Sequence, residues 1–289
     1  MSLNQEPIGW QLHHQEKIFF RAANGALTLR IKFFHYPSYH QTVIVDQSPA
    51  QCKLRTKQPN VFYLFQQKVR ARGVVSLERI ISIYPQPSIK ALSTSWGRIS
   101  DIPQSIREKY KQSFRYWPLQ SPAFHTISQE RWFTIDDLRL WVKDASMQIT
   151  QEIRYPEKKD KRLGAEQALR THRGDCDEFT DFFITLARMR GIPCRRLTGY
   201  FIHQMKNEAE PHAWAEVFSP TQGWIPVDIA LRNIGNYTRY YVIRKLEEFN
   251  PSLPDYQLLK QTSTLQYHWE LPPPRVLPLK QEKKEEDNQ

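Results

Sequence analysis

Two residue types are scarce in this chain, and each scarcity excludes a class of protein. There are three cysteines, Cys52, Cys176 and Cys194, and so low and odd a number without close spacing argues against a disulfide framework. There are 10 glycines, and none of them forms a phosphate-binding loop or a dinucleotide fingerprint. We therefore expect no cofactor, and the low cysteine content is typical of a reducing compartment.

Long apolar runs are absent as well. The N-terminal segment MSLNQEPIGWQLHHQEK contains no apolar stretch of the signal-peptide type, and no run elsewhere approaches the roughly 20 residues that a membrane-spanning helix needs. We accordingly expect no membrane span and a cytoplasmic location. Nothing in the sequence determines the oligomeric state.

Negative charge is scarcer than positive charge, which gives the chain a formal net charge of +11. A strongly basic protein is a candidate for nucleic-acid binding. The basic residues are scattered, however, and the densest groups, at 158–162 and 188–196, include acidic or apolar neighbours and form no recognition motif. We expect a solvated basic surface and no nucleic-acid partner, and a preference for acidic substrates stays open.

The first third of the chain has the pattern of short strands. Residues 42–45, 61–65 and 74–83 are rich in β-branched and aromatic side chains and are separated by polar turns. These strands favour a small β-sandwich, so we predict an N-terminal β-rich domain over residues 1–95. Residues 84–104 are rich in proline and serine, which is typical of a linker.

Beyond the linker the pattern changes to helices. An apolar repeat at helical spacing over residues 135–149 predicts a core helix, and residues 165–171 predict a shorter one. We assign residues 96–270 to a second domain. Residues 271–289 combine prolines with mixed charge, which cannot supply a packed core, and they are predicted to form a disordered tail.

The sequence RGDCDEF around Cys176 has the signals of a helix start. Asp175 followed by Glu178 is typical of a first turn, apolar residues then recur at helical spacing, and Gly191 ends the helix. Cys176 would lie in that first turn, where the helix dipole and free N–H groups favour the thiolate and could stabilise an oxyanion. Asp177 and Glu178 oppose thiolate formation, so a paired imidazolium is needed.

Two alternating segments downstream supply the candidate base. PHAWAEVF contains His212 and GWIPVD contains Asp228, and the short loop between them predicts an antiparallel hairpin. If Phe218 pairs with Trp224, Asp228 is a diagonal neighbour of His212 on one face, roughly 7–8 Å away at the backbone. A slip of one residue would place the two on opposite faces. In the assumed register, Asp228 orients the imidazole and its free nitrogen faces the thiol of Cys176.

The blocks GDCDEFTDFFITLARMRGIPCRRLTGY, PHAWAEVF and GWIPVD resemble the transglutaminase-like superfamily, circularly permuted relatives of papain with the catalytic order Cys, His, Asp. The resemblance covers residues 135–230 and implies that Cys176 is the nucleophile, His212 the base and Asp228 the orienting acid. It also implies an α+β fold, with a papain-like transglutaminase core of helices packed on an antiparallel sheet, preceded by the small β-sandwich-like domain. Microbial members are mostly regarded as proteases, so we expect a cysteine hydrolase that acts on protein or peptide substrates.

Two other functions stay open. A lysine amine can intercept the thioester acyl-enzyme in place of water, so a protein-glutamine acyltransferase would share every step up to the thioester. A non-enzymatic interaction module that has kept the fold is the second alternative, and the complete set of three candidate residues argues against it.

Other side chains near the candidate site have weaker claims to a role. Cys194 is expected to be a buried neutral residue, and Trp141 and Tyr155 are weak candidates for a second oxyanion donor, each more readily explained as structural. The residues that could form a zinc site are His172, Cys176, Cys194 and His203. We expect no metal, because only His172 and Cys176 have a compact ligand spacing.

Overall fold

The computed structural model describes residues 6–22, 27–50, 52–57, 60–70, 72–89, 95–155, 161–203, 208–249, 254–259 and 265–281. The N-terminal part consists of strands: β1 (Gly9–Ala22), β2 (Leu27–His35), β3 (Gln41–Gln47), β4 (Cys52–Lys57), β5 (Asn60–Val69), β6 (Arg72–Pro85) and β7 (Ser88–Ile89).

The helices follow in the middle of the chain: α1 (Gln104–Lys109), α2 (Pro122–Ser128), a 3-10 helix (Arg131–Thr134), α3 (Leu138–Glu152), α4 (Ala165–Thr171) and α5 (Cys176–Met189). The rest of the described chain returns to strands: β8 (Cys194–His203), β9 (Glu208–Ser219), β10 (Gly223–Asp228), β11 (Asn233–Ile234), β12 (Asn236–Tyr237), β13 (Tyr241–Glu247), β14 (Tyr256–Leu258), β15 (Leu265–Glu270) and β16 (Arg275–Leu279).

Two antiparallel sheets face each other in the N-terminal part. β1 pairs with β6 along one edge and with β15 and β16 along the other, while a second sheet has the order β14-β2-β5-β4. Alternate side chains of both sheets point into the space between them, where Ile18, Ile31 and Leu77 are fully buried in one apolar cluster. The predicted β-sandwich is therefore confirmed.

Helices pack on a second region of the larger sheet. β9 pairs with β8 and β10, and β8 pairs with β13, all antiparallel. The apolar face of α5 lies against β8 and β9 and shares a core cluster with α3. Phe182 and Phe183 are almost fully buried there, and each contributes about 1.5–3 kcal/mol through the apolar area that it removes from water. This arrangement confirms the predicted α+β class.

The backbones of β8 and β13 approach each other closely at Gly199. A Cβ at this position would lie 1.8 Å from the carbonyl oxygen of Val242, so only glycine fits. β13 bulges between Ile243 and Lys245 beside the same point. On its other side Gly199 pairs with His212 of β9, so this close contact fixes the strand that carries the candidate base.

The last strand, β16, lies where the sequence predicted a disordered tail. It pairs with the first half of β1 and, through one residue pair, with β9. Val276 is buried in the same apolar cluster as Trp10. The prediction is wrong for residues 275–279, because the prolines at 272–274 precede the strand and β1 offers it a free edge. Residues 282–289 lie outside the described residues.

The division of the chain between residues 95 and 96 stays a prediction. The structure adds that β14, β15 and β16, which follow the helices and the central strands in sequence, pair with β1 and β2 of the N-terminal part. Trp96 and Ile99, at the end of the predicted linker, are fully buried in the core beneath the helices. Within the described ranges, no helix is long and apolar enough to cross a membrane.

The position of β16 can be tested by placing a charge in it. Val276→Asp is expected to lower the free energy of unfolding by about 2–4 kcal/mol, because it buries an unpaired carboxylate among apolar side chains. Lys280→Asp, at an exposed position just after the strand, is the control and should change this free energy by less than about 0.5 kcal/mol. Urea unfolding followed by tryptophan fluorescence measures both, and equal midpoints would contradict the pairing of β16.

Candidate active site

Cys176 is the first residue of α5, and a reciprocal cap fixes the chain around it. The Asp175 carboxylate accepts the N–H of Asp177 at 2.9 Å, and the Glu178 carboxylate accepts the N–H of Asp175 at 3.1 Å. Gly174 is required here because a Cβ would lie 2.3 Å from the Cβ of Glu178. The helix start is confirmed where it was predicted, and it leaves Cys176 5% exposed.

The acidic side chains of this first turn are neutralised or hydrogen-bonded. Asp177 forms an ion pair with Arg196 of β8, whose guanidinium also donates to Glu247 at 2.6 Å. Glu178 accepts the N–H of Leu163 at 2.7 Å in addition to its bond in the cap. Because Arg196 compensates the charge of Asp177, that carboxylate opposes a neighbouring thiolate less than its position in the sequence suggests.

The β9–β10 hairpin has the register that the sequence predicts. Trp224 pairs with Phe218, and His212 and Asp228 lie on one face, with 2.6 Å between His212 Nε2 and Asp228 Oδ2. The notably short connection consists of residues 220–222, because Gly223, with φ of +70°, still pairs with Ser219, the last residue of β9. The tight turn holds the two strands in this register.

Asp228 has three hydrogen-bond donors. Besides His212, the Tyr241 hydroxyl donates to Oδ2 at 2.7 Å, and the N–H of Leu231 donates to Oδ1 at 3.0 Å. The carboxylate is 2% exposed, so these donors replace its hydration. Sequence reasoning missed Tyr241, because it follows Asp228 by 13 residues and no local pattern connects the two.

His212 lies between Asp228 and Cys176. Burial lowers the pKa of His212, but the hydrogen bond with Asp228 and the interaction with the Cys176 thiol outweigh this effect and raise the pKa to about 10. The imidazole ring stacks on Trp214 with 5.9 Å between ring centroids, and the Phe201 ring meets it edge-on at 6.1 Å. The site can therefore keep a protonated imidazole beside a sulfur atom at neutral pH.

The thiol and the imidazole open into a cavity of about 570 Å³. Its lining includes the helix start and residues of β8 and β9, and also Glu16 of β1, residues of β13 and residues that follow it. Most charged groups of this lining are paired within the protein. The lining residues from β13 onward are Arg244, Lys245, Glu247, Asp255, Tyr256, Leu271, Pro272 and Pro273.

One backbone donor at the thiol is available to a substrate oxygen. The Asp175 side chain takes up the N–H groups of Asp177 and Glu178, whereas the N–H of Cys176 has no partner in the described part of the chain. The two weak candidates for a second donor do not line the cavity. Trp141 is fully buried against Phe183, and Tyr155 stacks on Phe179.

The four residues of the conceivable zinc site are not assembled. Cys194 is fully buried in the core beneath α5, while His172 is exposed and lies 3.4 Å from a Glu152 carboxylate. In the ranges that the structure describes, the His, Cys, Asp and Glu side chains close enough to share an ion are Asp175, Cys176 and Asp177. Their carboxylates are already used in the helix cap and in the ion pair with Arg196.

Comparison with known proteins supports a transglutaminase-like fold. Residues 127–229 match the model of the transglutaminase-like superfamily. The chain is also similar to a structure described as "a Putative Cysteine Protease from Cytophaga hutchinsonii", with a TM-score of 0.58, 14% sequence identity and coverage of 96% of this chain and 95% of that one. At this identity the likeness concerns the fold alone.

Two more distant similarities complete the comparison. The periplasmic domain of TgpA from Pseudomonas aeruginosa aligns with a TM-score of 0.41 and 15% identity, over 79% of this chain and 89% of that chain. The uncharacterized protein YebA of Bacillus subtilis is 30% identical over 88 residues, which are 26% of this chain. This match spans 12% of the length of YebA.

The carboxylate behind His212 can be tested by removing its charge. Asp228→Asn is expected to lower the pKa of His212, because burial then acts without the opposing carboxylate. NMR titration of the His212 ring nitrogens measures this pKa. Asp177→Asn removes a carboxylate from the same cavity that is not bonded to His212, and it should move the pKa less. Equal shifts in the two variants would contradict a specific Asp228–His212 pair.

Proposed function

We propose that this chain, whose residues 127–229 match the transglutaminase-like superfamily, is a cysteine hydrolase that cleaves peptide or amide bonds through a thioester acyl-enzyme. The observation that carries the proposal is the position of His212, whose Nε2 lies 2.6 Å from the Asp228 carboxylate and whose pKa is raised by both Asp228 and the Cys176 thiol. Cys176 acts as nucleophile, His212 as the acid and base, and Asp228 as the residue that orients the ring.

Acylation begins from the thiolate–imidazolium pair. The Cys176 sulfur forms a bond to the substrate carbonyl carbon, and the carbonyl oxygen takes the electron pair and accepts a hydrogen bond from the Cys176 N–H. His212 then gives its proton to the leaving nitrogen, the C–N bond breaks and an amine departs. The thioester and a neutral imidazole remain.

Deacylation returns the enzyme to its starting state. Neutral His212 takes a proton from water, and the oxygen of that water attacks the thioester carbon. The C–S bond breaks, a carboxylic acid is released, and the thiolate again faces a protonated imidazole. Asp228 keeps the ring oriented toward the sulfur throughout, because its carboxylate is itself held by two further donors.

The proposal includes a protein or peptide substrate and a cytoplasmic location. The cavity beside Cys176 is open to solvent and has both polar and apolar walls, which suits a segment of polypeptide. All three cysteines are free thiols, in keeping with a reducing compartment.

Selective alkylation tests whether Cys176 is activated. Burial raises the pKa of Cys52 to about 11 and raises that of Cys194 further, so neither should react quickly near neutral pH. At about pH 6, iodoacetamide is expected to label Cys176 first, and His212→Ala should slow this labelling at least about tenfold. Peptide mass spectrometry identifies the labelled cysteine. Labelling of Cys176 only above about pH 8 would contradict an activated thiol.

The reaction itself is tested with a library of glutamine-containing peptides, incubated with and without a primary amine. Hydrolysis is expected to give a product with a new carboxylate whether or not the amine is present. Cys176→Ala should lower the rate at least about 1000-fold, whereas Cys194→Ala, which removes a buried thiol far from the imidazole, should retain most activity. A product that always contains the amine would favour acyl transfer, and no turnover of any peptide would favour a non-enzymatic module.

A further inference from the structure

Two donors share one oxygen of the Asp228 carboxylate. His212 Nε2 lies 2.6 Å from Oδ2, and the Tyr241 hydroxyl lies 2.7 Å from the same atom. His212, Asp228 and Tyr241 are 8%, 2% and 4% exposed, so water does not compete with these bonds. The hydrogen bond from Tyr241 changes the charge on Oδ2, and it therefore changes the strength of the hydrogen bond between this oxygen and His212.

The Tyr241 hydroxyl has a defined direction. The Asn233 side-chain amide donates to the tyrosine oxygen at 3.1 Å, and the same amide nitrogen is held by the backbone carbonyl of Asn236 at 2.9 Å. Since the amide occupies a lone pair of the hydroxyl, the tyrosine proton points toward Asp228. Burial, reinforced by the Asp228 carboxylate, raises the pKa of Tyr241 well above its ordinary value, so the hydroxyl stays a donor at neutral pH.

We propose that Tyr241 is a positioning residue that moderates the hold of Asp228 on the His212 proton. This rests on the proposed function, in which His212 must both keep a proton beside the thiolate and release it to a leaving amine. A carboxylate oxygen that already accepts one strong hydrogen bond carries less charge for a second. Tyr241 thus keeps Asp228 in place and prevents the imidazolium from becoming too weak an acid.

Few other groups act on His212. The groups that act most strongly on its pKa are Asp228 and Cys176, and its ring also meets the aromatic side chains Phe201, Trp214 and Tyr241. Other charged residues that line the same cavity, including Asp175, Asp177, Arg196 and Glu247, are the same in the wild type and in both tyrosine variants. Tyr241→Phe keeps the ring that contacts His212 and removes only the hydroxyl, which donates to Asp228, so the change in the pKa of His212 measures the effect of that bond.

The chain provides a matched control for this inference. Tyr237 is equally buried, belongs to the same aromatic cluster, and donates its hydroxyl to a different carboxylate, that of Glu216, at 2.6 Å. Tyr237→Phe and Tyr241→Phe each remove one buried hydroxyl–carboxylate bond and keep the ring. Only the second bond is to the carboxylate that holds His212.

The test is an NMR titration of the His212 ring nitrogens in the full chain of the wild type and both variants. Tyr241→Phe is expected to raise the pKa of His212, and Tyr237→Phe to leave it unchanged. Asn233→Ala keeps the Tyr241 hydroxyl but removes the amide that orients it, so it should raise the pKa of His212 by a smaller amount. This variant replaces Tyr241→Phe in the test if Tyr241→Phe does not fold. With a substrate peptide, Tyr241→Phe should lower kcat about tenfold with little change in KM.

The other outcomes overturn the inference. An unchanged pKa in Tyr241→Phe would mean that only the ring packing matters, and a lowered pKa would mean that Tyr241 merely keeps Asp228 from turning away. Failure of the proposed function gives a different result. In that case the pKa of His212 in the wild type would be at or below its ordinary value, and Cys176 would resist alkylation near neutral pH.

Discussion

The hydrogen bond between His212 and Asp228 is the interaction on which the rest of the site depends. Both groups are buried, so either one would destabilise the folded protein if it were unpaired. Removing one partner of a buried pair lowers the free energy of unfolding by about 3–5 kcal/mol. The bond exists because β9 and β10 pair with Trp224 opposite Phe218, which places the two side chains on one face. A slip of one residue would separate them and leave a buried carboxylate without its base.

The sheet positions this pair relative to the sulfur. β9 lies between β10, which ends at Asp228, and β8, against which α5 packs. The close approach of β8 and β13 at Gly199 also brings Tyr241, the first residue of β13, within reach of the carboxylate. The N-terminal strands take part as well, because Glu16 of β1 and residues in and between β14, β15 and β16 line the same cavity as Cys176. Residues of the β-sandwich thus contribute to the lining of the candidate active site.

The helix start at Cys176 and the hairpin of His212 could be predicted because their signals are local. Capping residues three apart and a regular alternation need no knowledge of the rest of the chain. β1 was missed because its inward-facing positions include His14 and Glu16, which are buried by polar contacts with Tyr36 and Arg79 and interrupt the apolar alternation.

β16 was mistaken for a disordered tail because composition does not show that a distant strand offers a free edge. Tyr241 reaches the site because β13 pairs with β8, whose residues lie about 40 positions earlier in the sequence. No local sequence pattern predicts such a distant pairing. The positions of Trp141 and Tyr155, the two candidate oxyanion donors, could not be predicted because they also depend on tertiary packing. An aromatic residue that precedes the nucleophile can equally well belong to the core, as Trp141 does.

The most direct test of the proposed thiolate–imidazolium pair of Cys176 and His212 is the ultraviolet absorbance of the thiolate. The difference spectrum between the wild type and Cys176→Ser isolates the signal of this one sulfur. We expect thiolate absorbance to persist at about pH 6, where an ordinary cysteine is almost fully protonated. A signal that develops only above about pH 8 would show an ordinary thiol and would contradict this account of the site.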